Sequence, residues 1–127
     1  MNKIEQTAFW PQPVLDHLQH EAKRLDRTFS YLSQMAWCHA RALLTQAPCD
    51  VVPALPPSAT EWFARNGLTP EDWTGAPKVR LALFYPEEML IEIQEEAARR
   101  DRSISWILLR AFILAVGEIA RIPTAEQ

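Results

Sequence analysis

The chain has 127 residues, of which 48% are hydrophobic, and this is enough apolar side chain for one compact domain with its own core. Its formal charge of −3 gives no electrostatic reason to expect a nucleic acid as partner, since non-specific binding depends on Lys and Arg neutralising phosphates. Two cysteines exclude a disulfide framework, and the lack of a signal peptide or membrane span ahead of the first predicted strand predicts a soluble, reduced, cytoplasmic protein.

The first third of the chain predicts a short strand followed by two helices. A helix over 11–25 and a second helix over 29–44 are separated by a polar break, in which Thr28 is a good N-cap residue. The strand over 3–10 contains polar residues, and only its alignment with a clearer strand later in the chain supports it.

Residues 45–77 form a connector. Several prolines in its first part predict an extended path rather than a helix. The pattern from Ser58 to Glu61 is that of a capping box and predicts a short helix, and Thr69 is predicted to cap another helical turn. Aromatic side chains in the connector predict that it docks on the rest of the protein: Trp62, Phe63 and Trp73.

The last third repeats the order of elements more clearly. A strand over 78–85 contains β-branched and aromatic residues and ends before Pro86, the predicted first residue of an amphipathic helix over 86–100. Ser103 is predicted to cap a final, apolar helix over 104–120.

These two units are copies of each other. Moving the chain by 75 positions aligns residues 9–44 with 84–119 without a gap, and twelve of the thirty-six pairs are identical. The copies span 3–44 and 78–120. Because neither copy is long enough to fold alone, both are predicted to share one domain, 1–127.

In each copy a short strand, an aromatic residue before proline, an amphipathic helix, an Arg-(Ser/Thr)-x-Ser turn and an apolar helix follow one another. This order resembles the ribbon-helix-helix family. The resemblance implies a mainly α fold with a two-stranded antiparallel ribbon over four interlocked helices. Because two copies are fused, it implies a tandem ribbon-helix-helix protein in which one chain forms an intrachain pseudo-dimer.

The resemblance also implies double-stranded DNA as partner, with the ribbon in the major groove and its outer face toward the bases. Strand alternation gives the outer face, and hence the predicted base contacts, as Glu5, Thr7, Phe9, Arg80, Ala82 and Phe84. Arg80 suits guanine, whereas Phe9 and Phe84 either contact thymine methyl groups, a protein or a ligand, or merely cover the ribbon.

A second implied contact is with phosphates at the start of the second helix of each copy. The predicted phosphate contacts are Arg27, Thr28, Phe29 and Ser30, then Arg102, Ser103, Ile104 and Ser105, with Lys3 and Lys78 at the strand ends. Thr28 and Ser103 are expected to cap their helices whether or not DNA is bound.

The final helix is apolar on nearly every side, which predicts burial on more than one face. Two explanations remain open at this point. The connector's aromatic side chains cover the surplus, or a second chain does, as a homodimer or protein partner that binds Leu108, Leu109, Ile113 and Leu114.

No pattern supports catalysis, a cofactor or a metal. His17 and His20 are three residues apart on a helix, but no third ligand is evident and a solvated face is predicted. The predicted function is sequence-preferring binding of double-stranded DNA, as a transcriptional regulator or DNA-organising factor. The alternative is a ribbon-helix-helix interaction scaffold that has lost base readout and binds a protein or a small anionic ligand.

Overall fold

The computed structural model describes residues 3–125, so residues 1, 2, 126 and 127 of the predicted domain lie outside the described range. The described residues are mainly helical, with one two-stranded antiparallel sheet. The elements are β1 (Lys3–Pro11), α1 (Gln12–Leu25), α2 (Phe29–Gln46), α3 (Pro57–Arg65), α4 (Pro70–Thr74), β2 (Lys78–Pro86), α5 (Glu87–Arg100) and α6 (Ile104–Ala120). Both predicted strands and all four long helices are present. Within residues 3–125, no single helix is long and apolar enough to cross a membrane.

The strands β1 and β2 pair in a symmetric register. Thr7 lies opposite Ala82 at the centre of the ribbon, and these two residues are the equivalent positions of the two copies. Pro11 and Pro86 end the strands and are the N-cap residues of α1 and α5, so each helix begins one residue later than predicted. Proline suits this junction because it cannot donate to a continuing ladder and its fixed φ favours the start of a helix.

The inner face of the ribbon packs on the helices. Four inner side chains are fully buried: Ala8, Trp10, Leu83 and Tyr85. Trp10 packs against Phe112 of α6 with ring centroids 5.5 Å apart, and the Tyr85 hydroxyl shares a hydrogen bond with Ser33 of α2. Ile4 and Val79, predicted on the same face, are exposed because they lie at the two ends of the ribbon.

The connector covers α6. Helix α3 lies on α6, with Ala59 and Phe63 buried between them. Leu108, Leu109, Ile113 and Leu114 are all buried within this single chain, at 7% exposure or less. Of the two explanations, these buried side chains favour coverage from within the chain, because none of the four is open to a second chain in this structure.

The close approach of α3 to α6 requires a glycine. A Cβ added at Gly117 would lie 2.2 Å from the Ser58 carbonyl oxygen. Ser58 lies inside the first turn of α3, whose N-cap is Pro56, so the predicted capping box from Ser58 to Glu61 is wrong. Pro57 instead begins the helix, as proline does well at this position. The capped turn at Thr69 is confirmed, with Asp72 as its capping-box partner.

A buried carboxylate ties α5 to the end of α2. Glu96 is 3% exposed and accepts hydrogen bonds from Arg99 Nε at 2.8 Å and from Arg100 Nε at 2.6 Å. Both arginines also donate to the carbonyl oxygen of Leu44 near the C-terminal end of α2, at 2.8 and 2.9 Å. Burial acts to raise the pKa of Glu96, but the hydrogen bonds from the two arginines outweigh it and lower the pKa below its ordinary value.

The other copy makes the equivalent connection. Arg24 Nε donates to the buried Glu21 carboxylate at 2.7 Å, and its guanidinium also donates to the carbonyl oxygens of Ile119 and Ile122 at the end of α6. We call these two arrangements the Glu–Arg clamps. In each clamp the first helix of one copy donates to a carbonyl oxygen in the last turn of the second helix of the other copy, where no intrahelical partner is left.

We predict that Gly117→Ala destabilises the protein by about 2 kcal/mol or more, because the new Cβ would overlap Ser58 and force α3 away from α6. Ala42, the exposed equivalent position in α2, is the control, since Ala42→Gly costs only about 1 kcal/mol of helix propensity. Urea unfolding measures both. A stabilising Gly117→Ala would contradict the packing of α3 on α6.

Glu96→Gln is expected to destabilise the protein by about 3 kcal/mol near neutral pH, since it leaves two arginines, one of them buried, without their negative partner. The lowered pKa means that the wild type keeps this stability above the ordinary carboxyl pKa of 4.5 and loses it as the pH falls through the lower folded value. The variant should therefore lose less stability on acidification. Unfolding free energies across an acid series test this, with the exposed neighbour Glu95→Gln as control.

Candidate functional site

The outer face of the ribbon is open to solvent. Five of the six predicted base-contact residues are exposed and the sixth, Thr7, is half-buried: Glu5, Phe9, Arg80, Ala82 and Phe84. They face each other across the strands, with Glu5 opposite Phe84 and Phe9 opposite Arg80. Phe9 is 50% exposed and Phe84 is 41% exposed. The six residues therefore form one continuous surface, as predicted from the alternation of the strands.

The second helix of each copy begins beside the strand of the other copy. Ser30 Oγ accepts a hydrogen bond from the Phe84 amide at 2.9 Å, and Ser105 Oγ accepts one from the Phe9 amide at 3.0 Å. These bonds attach the starts of α2 and α6 to opposite edges of the ribbon. Each serine oxygen accepts from the ribbon, so its hydroxyl proton is available for another acceptor.

Both helix starts are capped as predicted. The Thr28 side chain accepts from the Tyr31 amide, and the Ser103 side chain accepts from the Trp106 amide, each at 3.0 Å. The side chains of Phe29 and Ile104 pack against the core. Only the backbone amides of these two residues therefore remain for a phosphate, and such first-turn amides have no intrahelical partner.

Cations lie around both helix starts. Arg27 lies over the Tyr31 ring at 5.3 Å, and Arg102 lies over the Trp106 ring at 5.1 Å. The turns before them are made by Asp26 and Asp101 in the left-handed conformation, which short polar side chains tolerate. Lys3 and Lys78, at the strand ends, are exposed. All ten predicted phosphate-contact residues therefore lie in the two helix starts or at the ribbon ends.

A cavity of about 470 Å³ lies at the start of α6. It is lined by Phe9, Thr74, Lys78, Ser103, Ser105, Trp106, Leu109 and Arg110. The sequence prediction did not include Arg110, which is half-buried and lies 5.3 Å from the Trp106 ring centroid. In the alignment of the two copies, Arg110 corresponds to Met35. This replacement of an apolar side chain by a cation was the signal in the sequence that could have identified it. Burial lowers the pKa of Arg110 from its ordinary value, against the raising effect of Glu71.

His17 lies under the connector, so the prediction of a solvated face is wrong for His17, whereas His20 is exposed. Its ring lies 4.8 Å from Trp62 and 5.6 Å from Trp73, measured between centroids. Burial lowers the pKa of His17, with opposition from Glu21. No group of three metal-ligating side chains occurs within residues 3–125. His17 is therefore a docking residue for the connector.

Comparison with protein-family models, with curated proteins and with solved structures finds no match to this chain. The features that bear on function are therefore the exposed ribbon and the two helix starts beside it.

His17→Phe is expected to make the stability less dependent on pH. Since the pKa of His17 is lowered in the folded protein, the unfolded chain binds more protons below the ordinary value of 6.5, and the wild type loses stability as the pH falls below it. Phenylalanine keeps a ring beside the tryptophans and cannot titrate. Unfolding at about pH 7 and about pH 5 tests this, with the exposed His20→Phe as control. An unchanged pH dependence in His17→Phe would contradict the expected role.

Proposed function

We propose that the chain is a tandem ribbon-helix-helix protein, an intrachain pseudo-dimer, which binds double-stranded DNA with sequence preference as a transcriptional regulator or DNA-organising factor. The observation that carries this proposal is the exposed ribbon face held between two equivalent helix starts. The hydrogen bonds from Phe84 to Ser30 and from Phe9 to Ser105 support it most directly.

The pseudo-dimer is supported by contacts that repeat across the two copies. The ribbon register is symmetric about Thr7 and Ala82, which are equivalent positions. The Glu–Arg clamps are also equivalent, and in both of them the first helix of one copy binds the end of the second helix of the other. Each copy thus supplies hydrogen-bond donors that the other copy requires.

Base contacts would come from the ribbon. The major groove of B-DNA, about 12 Å wide, admits a two-stranded ribbon. Arg80 is an exposed donor that suits guanine, and Glu5 is an acceptor that suits the amino group of cytosine. Phe9 and Phe84 suit thymine methyl groups. Since the two halves of this face differ in sequence, the preferred site would be asymmetric and not a palindrome.

Phosphate contacts would come from the ribbon ends and the two helix starts. The outer face carries Lys3, Lys78 and Arg80, and its only carboxylate within the described residues is Glu5. This face is therefore locally basic, although the whole chain has 16 acidic residues and is acidic overall. First-turn amides and the flanking Arg27 and Arg102 complete two phosphate sites on either side of the ribbon.

The exposure of Phe9 and Phe84 favours a second candidate function. Two large aromatic side chains on a small solvent-exposed surface also suit a protein partner or an apolar ligand. In this alternative the fold is a ribbon-helix-helix scaffold without base readout, which binds a protein or a small anionic ligand.

Fluorescence anisotropy with labelled duplexes selected from a random pool tests the DNA proposal. We expect affinity to fall steeply with salt, because bound phosphates release counterions. Arg80→Ala is expected to cost about 1–3 kcal/mol and to relax the preference at one base pair. Arg27→Ala and Arg102→Ala are expected to weaken all duplexes alike and to reduce the salt slope by about one each.

The control is Arg41→Ala, which removes an exposed arginine of α2 that pairs with Glu92 and lies outside the ribbon. It is expected to leave DNA affinity unchanged. The absence of binding at low salt, or an equal loss of affinity in Arg41→Ala and Arg80→Ala, would rule out the ribbon as a DNA-binding surface and favour the scaffold.

A further inference from the structure

The cavity at the start of α6 is lined by two serine hydroxyl groups whose protons are free to be donated to a ligand. Ser103 Oγ accepts from the Trp106 amide and Ser105 Oγ accepts from the Phe9 amide, each at 3.0 Å. With these bonds made, the proton of each hydroxyl remains available, and both serines line the cavity. Two hydroxyl donors on one wall suit an anionic acceptor.

The same cavity contains a cation that has no anionic partner among the described residues. Arg110 Nε is buried and has no hydrogen-bond partner among the described residues. Glu71 favours the charged form of Arg110 through its field, but it makes no ion pair with Arg110 within the described part of the chain. A half-buried charge without a counter-ion is costly, and a bound anion would remove that cost. Lys78 adds a second positive charge to the lining.

The remaining wall is apolar. Phe9, Trp106 and Leu109 line the cavity beside the cations and hydroxyls. A volume of about 470 Å³ lies within the range of small-molecule sites, which combine an apolar wall with a few placed polar groups. We infer that this cavity binds a small organic anion, whose phosphate or carboxylate contacts Arg110, Lys78 and the two hydroxyls and whose flat apolar part packs on Trp106 and Phe9.

The equivalent position in the first copy lacks this chemistry. Met35 replaces Arg110, and Gln34, which replaces Leu109, donates to the Phe84 carbonyl oxygen at 2.7 Å. The site therefore belongs to one half of the protein alone. It contains the helix start proposed to contact phosphate, so a ligand there would compete with DNA, a consequence that rests on the proposed function.

Isothermal titration of the full chain with phenyl phosphate, in the absence of DNA, tests the site directly. We expect saturable binding, with NMR shifts at the Ser103 and Ser105 amides, and weaker binding of inorganic phosphate, which lacks the apolar part. Arg110→Met, which introduces the residue of the other copy, is expected to weaken binding about tenfold or more. Lys78→Met, at an exposed position, is expected to weaken it without perturbing the fold.

Arg41→Met, an exposed arginine of α2 outside the cavity, is the matched control and is expected to bind like the wild type. Three results would overturn the inference: no saturable binding of phenyl phosphate, equal affinity in Arg110→Met and the wild type, or inorganic phosphate binding as tightly as phenyl phosphate. Because DNA is absent, these results do not depend on whether the ribbon binds DNA. If phenyl phosphate binds the cavity as expected but does not displace DNA, only the proposed competition between the two ligands is overturned.

Discussion

The pairing of β1 with β2 is the interaction on which the other contacts depend, although a two-stranded ribbon has little stability of its own. The helices stabilise the ribbon. Its inner side chains Trp10 and Tyr85 are buried, and the hydroxyl oxygens of Ser30 and Ser105 accept hydrogen bonds from its backbone amides. Pairing in turn brings the helices of the two copies together. Only then can each Glu–Arg clamp reach the helix end of the other copy.

Both copies have a clamp and a capped helix start, and they differ where α6 meets the connector. Gly117 admits the backbone of Ser58, and His17 supports Trp62 and Trp73. On α2 the equivalent surface is polar and open, with Cys38 exposed. One half of the protein is therefore covered and carries a cavity, while the other half is not covered by the connector. The proposed asymmetric DNA site and the inferred anion site in one half of the protein both rest on this asymmetry.

Local chemistry explains why much of the fold could be predicted from the sequence. The strand alternation and the caps at Thr28 and Ser103 act over a few residues and were predicted correctly, and the prolines at the strand ends gave the helix starts to within one residue. The wrong predictions concern contacts between distant segments. Nothing near His17 in the sequence shows that the connector returns to cover it. Likewise the capping pattern at Ser58 was overridden by the adjacent prolines and by packing on Gly117.

The central claim is that one chain closes its own ribbon, and an isotope-filtered NOE experiment tests it most directly. Uniformly ¹³C-labelled and unlabelled chains are unfolded together, refolded as an equal mixture and examined for contacts between Thr7 and Ala82, which lie opposite each other. An intrachain ribbon predicts that this contact joins only two labelled residues or two unlabelled residues. A filtered NOE between labelled and unlabelled chains would show that strands pair between molecules and would contradict the claim.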